Sequence, residues 1–263
     1  MVDFESKPRY DVYDLKKLMS LLCGPEGCPW DREQTHMSIR RNLLEEAYET
    51  AEAIDEDSTE HLIEELGDIL MQVVFHADIA ERADRFTLDD IADATCRKLI
   101  RRHPHVFGDV RAKNEKESLV FWDDIKREEK LHETASDAML SVARCLPALW
   151  RAEKIQGKAA KVGFDWPDHT GALETLHQEL NELKQAIAAD SNIREELGDL
   201  LFSAVNVARF FDIDPEEALG ATSEKFISRF IRIEEMAQEQ GKQLKDISLD
   251  EMEGLYQKAK LEK

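Results

Sequence analysis

Eight carboxylates recur in this chain at a spacing that can hold a cation. Glu46 and Glu49 stand three apart within Glu45-Glu46-Ala47-Tyr48-Glu49, and Glu65 and Asp68 within Glu64-Glu65-Leu66-Gly67-Asp68. The order returns as Glu179 and Glu182 in Gln178-Glu179-Leu180-Asn181-Glu182, then Glu196 and Asp199 in Glu195-Glu196-Leu197-Gly198-Asp199. Each copy reads E-x-x-E, a gap of 15 or 13 residues, then E-x-x-D. The surroundings lack Pro and are rich in helix formers, so residues three apart lie on one helix face. Two such helices side by side aim four carboxylates at one place. Like charges that close repel unless a hard cation holds them, and an all-oxygen set suits Mg²⁺, with Mn²⁺ as a substitute. Acidic residues number 56 of 263, so a single E-x-x-E would read as a solvated face. The ordered repetition argues for a metal site. The Gly inside each E-E-L-G-D costs a helix about 1 kcal/mol relative to Ala, and close helix approach beside the carboxylates would account for it.

Basic and aromatic residues follow in the same order. Lys98 and Arg102 parallel Lys225 and Arg229, and Trp122 with Lys126 parallels Tyr256 with Lys260. Offsets between copies are 133 (Glu46 to Glu179), 131 (Asp68 to Asp199), 127 (Lys98 to Lys225) and 134 (Lys126 to Lys260). An offset near half the chain indicates a duplicated unit. The first copy has four extra residues between its Asp and its Lys, around Arg82-Ala83-Asp84-Arg85. Carboxylates hold metal ions, metals and cations neutralise phosphates, and an aromatic ring stacks on a base, so the order points to a nucleotide.

These motifs resemble the signature of the MazG nucleoside triphosphate pyrophosphohydrolases, E-E-x-x-E followed after a spacer by E-x-x-D. The likeness extends to Gly27-Cys28-Pro29-Trp30-Asp31, to Arg101-Arg102-His103-Pro104-His105-Val106-Phe107, and to Lys154-Ile155-Gln156 with Val162-Gly163-Phe164-Asp165-Trp166. All resemble stretches of the two-domain bacterial members. One departure is Gln178, which stands where the pattern has its first Glu. Gln keeps an oxygen but removes a charge, which fits substrate contact better than metal ligation.

The resemblance implies hydrolysis of NTP or dNTP to NMP or dNMP and diphosphate, with Mg²⁺ as cofactor. It implies metal binding by Glu179, Glu182, Glu196 and Asp199, with Glu195 or a neighbouring carboxylate as base for an in-line attack on the α-phosphorus. Lys225 and Arg229 would take the charge on the departing diphosphate. Gln178, Trp166, Tyr256 and Lys260 would contact substrate, Trp166 as a pocket wall and Tyr256 stacked on the base. Stacking tolerates any base, so broad specificity is expected, in a nucleotide-pool housekeeping or regulatory role. The first copy offers Glu46, Glu49, Glu65, Asp68, Lys98, Arg102, Trp122 and Lys126 in the same roles. By resemblance the second copy is favoured as the working site, and a homodimer is expected.

The elements that must position these groups are helical. Apolar residues recur at helical spacing at Leu15, Leu18, Met19 and Leu22, at Leu62, Leu66, Ile69 and Val73, and at Phe226, Phe230 and Ile233. Strand alternation is missing, and only 11 Gly and 7 Pro punctuate the chain. The expected fold is all-α, as tandem helical bundle modules over residues 1–135 and 136–263. Connectors are expected at Cys23 to Trp30, His103 to Lys113, Glu133 to Ser141 and Val162 to His169. His103 and His105 read as structural or loop residues rather than ligands.

Four scattered cysteines without C-x-x-C argue against zinc and disulfide frameworks. With no run of about 18 apolar residues and no signal-peptide profile, the chain reads as cytoplasmic and free of membrane. A net charge of −21 argues against nucleic-acid polymers, which bind through Lys/Arg surfaces. A triphosphate is also anionic, but site metals and local cations answer its charge. The alternatives are a regulatory protein that binds a nucleotide or alarmone without hydrolysis, and a structural scaffold with solvated acidic faces.

Overall fold

The computed structural model describes residues 4–108, 111, 114, 118, 121, 122, 125 and 134–261. Every regular element among them is helical, as the periodicity implies. The chain divides into two compact units, Met1–Glu129 and Lys130–Lys263.

In the first unit, α1 (Val12–Leu22) opens on a capping box between Asp11 and Asp14, and α2 is the short Pro29–Arg32. Helices α3 (Arg40–Asp55) and α4 (Thr59–Arg82) form a hairpin. Its turn is tight because Asp57 takes a positive φ of 53° and Ser58 caps α4. Helix α1 packs on α4 around Met19, Cys23, Ile39, Val74 and Phe75. Polar ties reinforce that seam: Ser20 Oγ donates to Asp78 at 2.9 Å, and Lys16 pairs with Glu81 at 3.1 Å. Next come α5 (Leu88–Arg102), started by a Thr87–Asp90 capping box, and α6 (Pro104–Phe107).

The second unit has α7 (Ala135–Leu140), α8 (Ala148–Ala160), α9 (His169–Ala189), α10 (Ile193–Phe210), α11 (Pro215–Glu239) and α12 (Leu249–Ala259). Helices α9 and α10 form the counterpart hairpin, with Asp190 and Asn192 at positive φ in the turn. Helix α8 packs on α10 and α11. Trp150 Nε1 donates to Asp214 at 2.8 Å, and the same carboxylate caps α11 by accepting from the Glu216 and Glu217 amides, so one residue starts a helix and docks it. A separate core joins α11 and α12 through Ile233, Met236, Ala237, Ile247, Leu255 and Ala259.

Two sequence expectations need correction, and the extra residues of the first copy find their place. Three of the four expected connectors hold a helical segment: α2 takes Pro29 and Trp30, α6 lies within 103–113, and α7 lies within 133–141. Of the four extra residues in the first copy, most lengthen a helix: α4 runs 14 residues past Asp68, whereas α10 runs 11 past Asp199. Close helix approach does not explain the glycines, because a Cβ at Gly67 or Gly198 would meet nothing within 4 Å of its own chain. Both glycines lie on exposed faces. Beside them the equivalent leucines Leu66 and Leu197 are 50% and 46% exposed, although Leu66 falls in the apolar periodicity of its helix.

Candidate metal and nucleotide site

Each hairpin gathers its acidic pairs. In the first unit, ligand oxygens of Glu46 and Glu49 on α3 and Glu65 on α4 all lie within 4.8 Å of one another. In the second, Glu179 on α9 and Glu196 and Asp199 on α10 do the same. The fourth member of each set is electrostatically present. Burial, then the charges of Asp68, Glu49 and Glu65, push the Glu46 carboxyl above its ordinary value. Burial, then Glu182, Asp199 and Glu196, raise Glu179, and Glu196 is raised by burial, Glu182, Asp199 and Glu195. Carboxylates that lift one another in this way repel, and a cation among them would relieve that repulsion.

The donor set fits a hard divalent ion. Glu65 is buried at 8% exposure and its Oε2 has no hydrogen-bond partner, an arrangement that costs free energy unless something positive reaches it. Its other oxygen, Oε1, lies 3.2 Å from His61 Nε2, whose Nδ1 lies 2.9 Å from Glu56. His61 therefore orients Glu65; at the equivalent position the second copy has Asn192. Sequence reading missed His61, although a His four residues before a helical Glu is a local signal.

The basic and aromatic residues form a second cluster in each unit. Arg102 sits over the Trp122 ring at 5.3 Å, and Arg229 sits over Tyr256 at 5.9 Å, so the paired positions make the same cation–π contact. Lys260 Nζ is 4.9 Å from the Tyr256 ring, and Phe226 packs beside it at 6.0 Å. Lys98 and Lys225 are exposed. Lys126 lies outside the described residues. Helix α11, which carries Lys225 and Arg229, has α12 and α8 as its main packing partners rather than the α9–α10 hairpin. Gln178, Glu182 and Glu195 are exposed, and Glu195 lies in the first turn of α10.

A cavity of 450 Å³ opens between α8, the 163–166 turn and α10. Its walls include Gln156, Phe164, Trp166, Phe202, Asn206 and Arg209, and of these only Trp166 was expected from the sequence as a pocket wall. The turn is rigid. Gly163 has a φ of +86°, and both terminal nitrogens of Arg209 donate to the Asp165 carboxylate, which holds that carboxyl below its ordinary value.

The MazG nucleotide pyrophosphohydrolase domain matches this chain twice, over residues 34–107 and 168–231. The chain belongs to the MazG family. The two matches cover both acidic pairs and the Lys/Arg pair in each half, and end before Trp122 and Tyr256. Over 94% of both chains it is 44% identical to the nucleoside triphosphate pyrophosphohydrolase/pyrophosphatase MazG of Thermotoga maritima. It is 41% identical to the nucleoside triphosphate pyrophosphohydrolase of Escherichia coli K12, over 94% of this chain and 95% of that one. It is 48% identical to the uncharacterized protein YabN of Bacillus subtilis over 97% of this chain, which spans about half (53%) of that longer protein. As in the family pattern, the E-x-x-E pair and the E-x-x-D pair here occupy facing helices of one hairpin.

Proposed function

We propose that this protein hydrolyses nucleoside triphosphates between the α and β phosphates, releasing a nucleoside monophosphate and diphosphate. The observation that carries this reading is the pair of carboxylate clusters at equivalent places in two hairpins, in a chain of the MazG family. The relatives' names, which specify this substrate class, support it.

Glu179, Glu182, Glu196 and Asp199 would hold Mg²⁺. The ion supplies, when bound, positive charge that lets a triphosphate enter an acidic hairpin and makes a water more acidic. The protein's own groups do the rest. Glu195, exposed one residue before a ligand, takes a proton from the attacking water. Gln178 can donate an amide hydrogen to a phosphate without adding negative charge. Lys225 and Arg229 receive the diphosphate.

Because α11 does not lie along the α9–α10 hairpin, and because equivalent leucines on α4 and α10 are left in water, we assign a homodimer as the working form. A second copy covers these faces. No helix among the described residues is long and apolar enough to cross a membrane, and we take the setting to be cytoplasmic. The second copy is the main catalytic site in this reading. The first, whose Glu65 is more buried and tied to His61, is a retained or weaker site. Broad base use follows from recognition by stacking.

Incubation with each NTP and Mg²⁺, followed by chromatography, tests the reaction. The expected products are NMP and diphosphate. Appearance of NDP with orthophosphate would mean cleavage between the β and γ phosphates and would overturn the assignment.

A further inference from the structure

The first hairpin is closed at one end by the turn through Asp57 and Ser58, and at its open end α3 begins at Ile39 without a side-chain cap. Ile39 packs there with Val74 and Phe75, and beside it stands a pair of imidazoles. His36 Nδ1 lies 2.8 Å from His76 Nδ1, with the rings stacked at 5.1 Å and 13°. Both residues are half-buried, and the Phe86 ring stacks on His36 at 6.4 Å.

A braced turn presents His36. The Thr35 amide donates to Ser38 Oγ at 2.9 Å, the Ser38 amide to Thr35 Oγ1 at 3.2 Å, and Ser38 Oγ to Gln34 Oε1 at 2.8 Å. The turn therefore moves as one piece, and His76 ties it to α4. Between that tie and the carboxylates, α4 carries Gln72, which is 4% exposed with its Oε1 unpartnered. A buried acceptor without a partner weakens the seam it lies in, so this end of the hairpin depends on the imidazole pair.

The facing atoms set the chemistry. Nδ1 donates when protonated and accepts when bare, so the contact needs a proton on one of the two and none on the other. A proton taken up at Nε2 of the donor ring leaves the bond intact. The next must go to Nδ1 of the acceptor ring, which sets two N–H groups on two cationic rings against each other. Neighbouring carboxylates are engaged elsewhere: Asp78 with Ser20 and Arg82, Glu81 with Lys16, and Asp90 with Thr87. Arg85 reaches the Phe86 ring at 5.9 Å and adds positive charge. Burial and then His36 hold the His76 imidazole below its ordinary value.

The second copy is built otherwise. His169 stands 133 residues after His36, as Glu179 does after Glu46, and Val207 stands 131 after His76, as Asp199 does after Asp68. His169 meets the Phe211 ring at 5.3 Å instead, a contact with no shared proton. We propose that His36 and His76 form a proton-operated latch on the first hairpin, shut while their Nδ1 atoms share one proton and released when each carries its own. Release frees the start of α3, the helix of Glu46 and Glu49, from α4, the helix of Glu65 and Asp68. Acid therefore loosens the first carboxylate set and spares the second, whichever copy turns over substrate.

The test follows amide hydrogen exchange by mass spectrometry in the full chain at about pH 8 and about pH 5, corrected for intrinsic rates; these values bracket the histidine range. Protection over residues 36–44 should fall at the lower pH by roughly 2- to 10-fold, the worth of one hydrogen bond. Residues 169–177 should keep theirs. His76→Gln retains a donor and an acceptor without titrating, so its protection over 36–44 should not change with pH. His76→Val, which installs the residue type of the second copy, should lose protection at both values. His61, raised by its bond to Glu56 near the other end of α4, is untouched in both variants. If His76→Gln does not fold, His36→Gln replaces it. Unchanged wild-type protection at about pH 5, or an equal loss in the Gln variant, overturns the latch.

Discussion

The indole of Trp166 lies so close over Gly171 that a methyl group on Gly171 would fall 2.6 Å from its ring carbons. Gly171 sits in the first turn of α9, the helix that carries Glu179 and Glu182, so the glycine lets a cavity wall rest directly on the helix of the first acidic pair. Gly171→Ala should therefore displace the indole while leaving the helices intact. The expected result is a several-fold rise in KM for every NTP with unchanged far-UV circular dichroism. Retention of wild-type KM would show that the indole's resting place is immaterial.

Removing ligand charge should stop the reaction without unfolding the chain. Glu182→Gln and Asp199→Asn are each expected to lower turnover by orders of magnitude at saturating Mg²⁺. The metal-free melting temperature should hold or rise, because mutual repulsion at Glu179 and Glu196 is relieved. Near-wild-type turnover in either variant would remove that residue from the ligand set. Glu49→Gln, assayed beside Glu182→Gln, ranks the two copies. The first-half change should leave a large part of the activity, and the reverse ranking would mean that the first copy works.

The pH dependence has a definite sign. Glu179 and Glu196 are raised in the folded protein above their ordinary 4.5, so the fold binds their protons more readily than the unfolded chain does. Their contribution is present below 4.5 and is lost as pH rises through the raised values. Mg²⁺ held by these carboxylates, as proposed, would offset that loss. The gain in melting temperature on adding Mg²⁺ should therefore be small near pH 4.5 and grow toward neutrality. Asp165 runs the other way: lowered by Arg209 from 3.8, it contributes above that value and its share is lost as pH falls below it. A Mg²⁺-induced shift in melting temperature that does not vary with pH would contradict the first half of this account.

Gly198 separates the isolated chain from an assembled one. Within one chain nothing meets an added methyl, and Ala should stabilise α10 by up to about 1 kcal/mol. In a homodimer that buries this face, the same methyl meets the second copy. Sedimentation should show Gly198→Ala weakening the dimer, whereas an unaltered dimer with a higher melting temperature would place the interface elsewhere.

The sequence made the hairpins legible because their information is local. Residues three apart fix a helix face, and two such faces in order fix a pair. The cavity was not legible, since Gln156, Trp166 and Arg209 are distant in sequence and meet only when α8 and the 163–166 turn close on α10. Leu66 and Phe226 fall in the apolar periodicity and are exposed, because periodicity reports which face is apolar and not whether the same chain covers it. Gly67 and Gly198 were misread for the same reason. The sequence located the extra residues near Arg82 without saying what they form; three of them lengthen α4, where Ala and Glu let the helix continue.

That longer α4 makes the halves non-interchangeable parts. Three residues advance a helix by about 4.5 Å and turn it about 60° short of a full revolution. The connection that leaves α4 thus sets out from a different height and azimuth, relative to Asp68, than the one that leaves α10 sets out relative to Asp199. A chain in which 69–102 replaced 200–229 would deliver its Lys and Arg out of register with the recipient's carboxylates. With three residues of helix between them, each acidic hairpin is matched to its own basic helix, and the two halves are related in pattern without being exchangeable segment for segment.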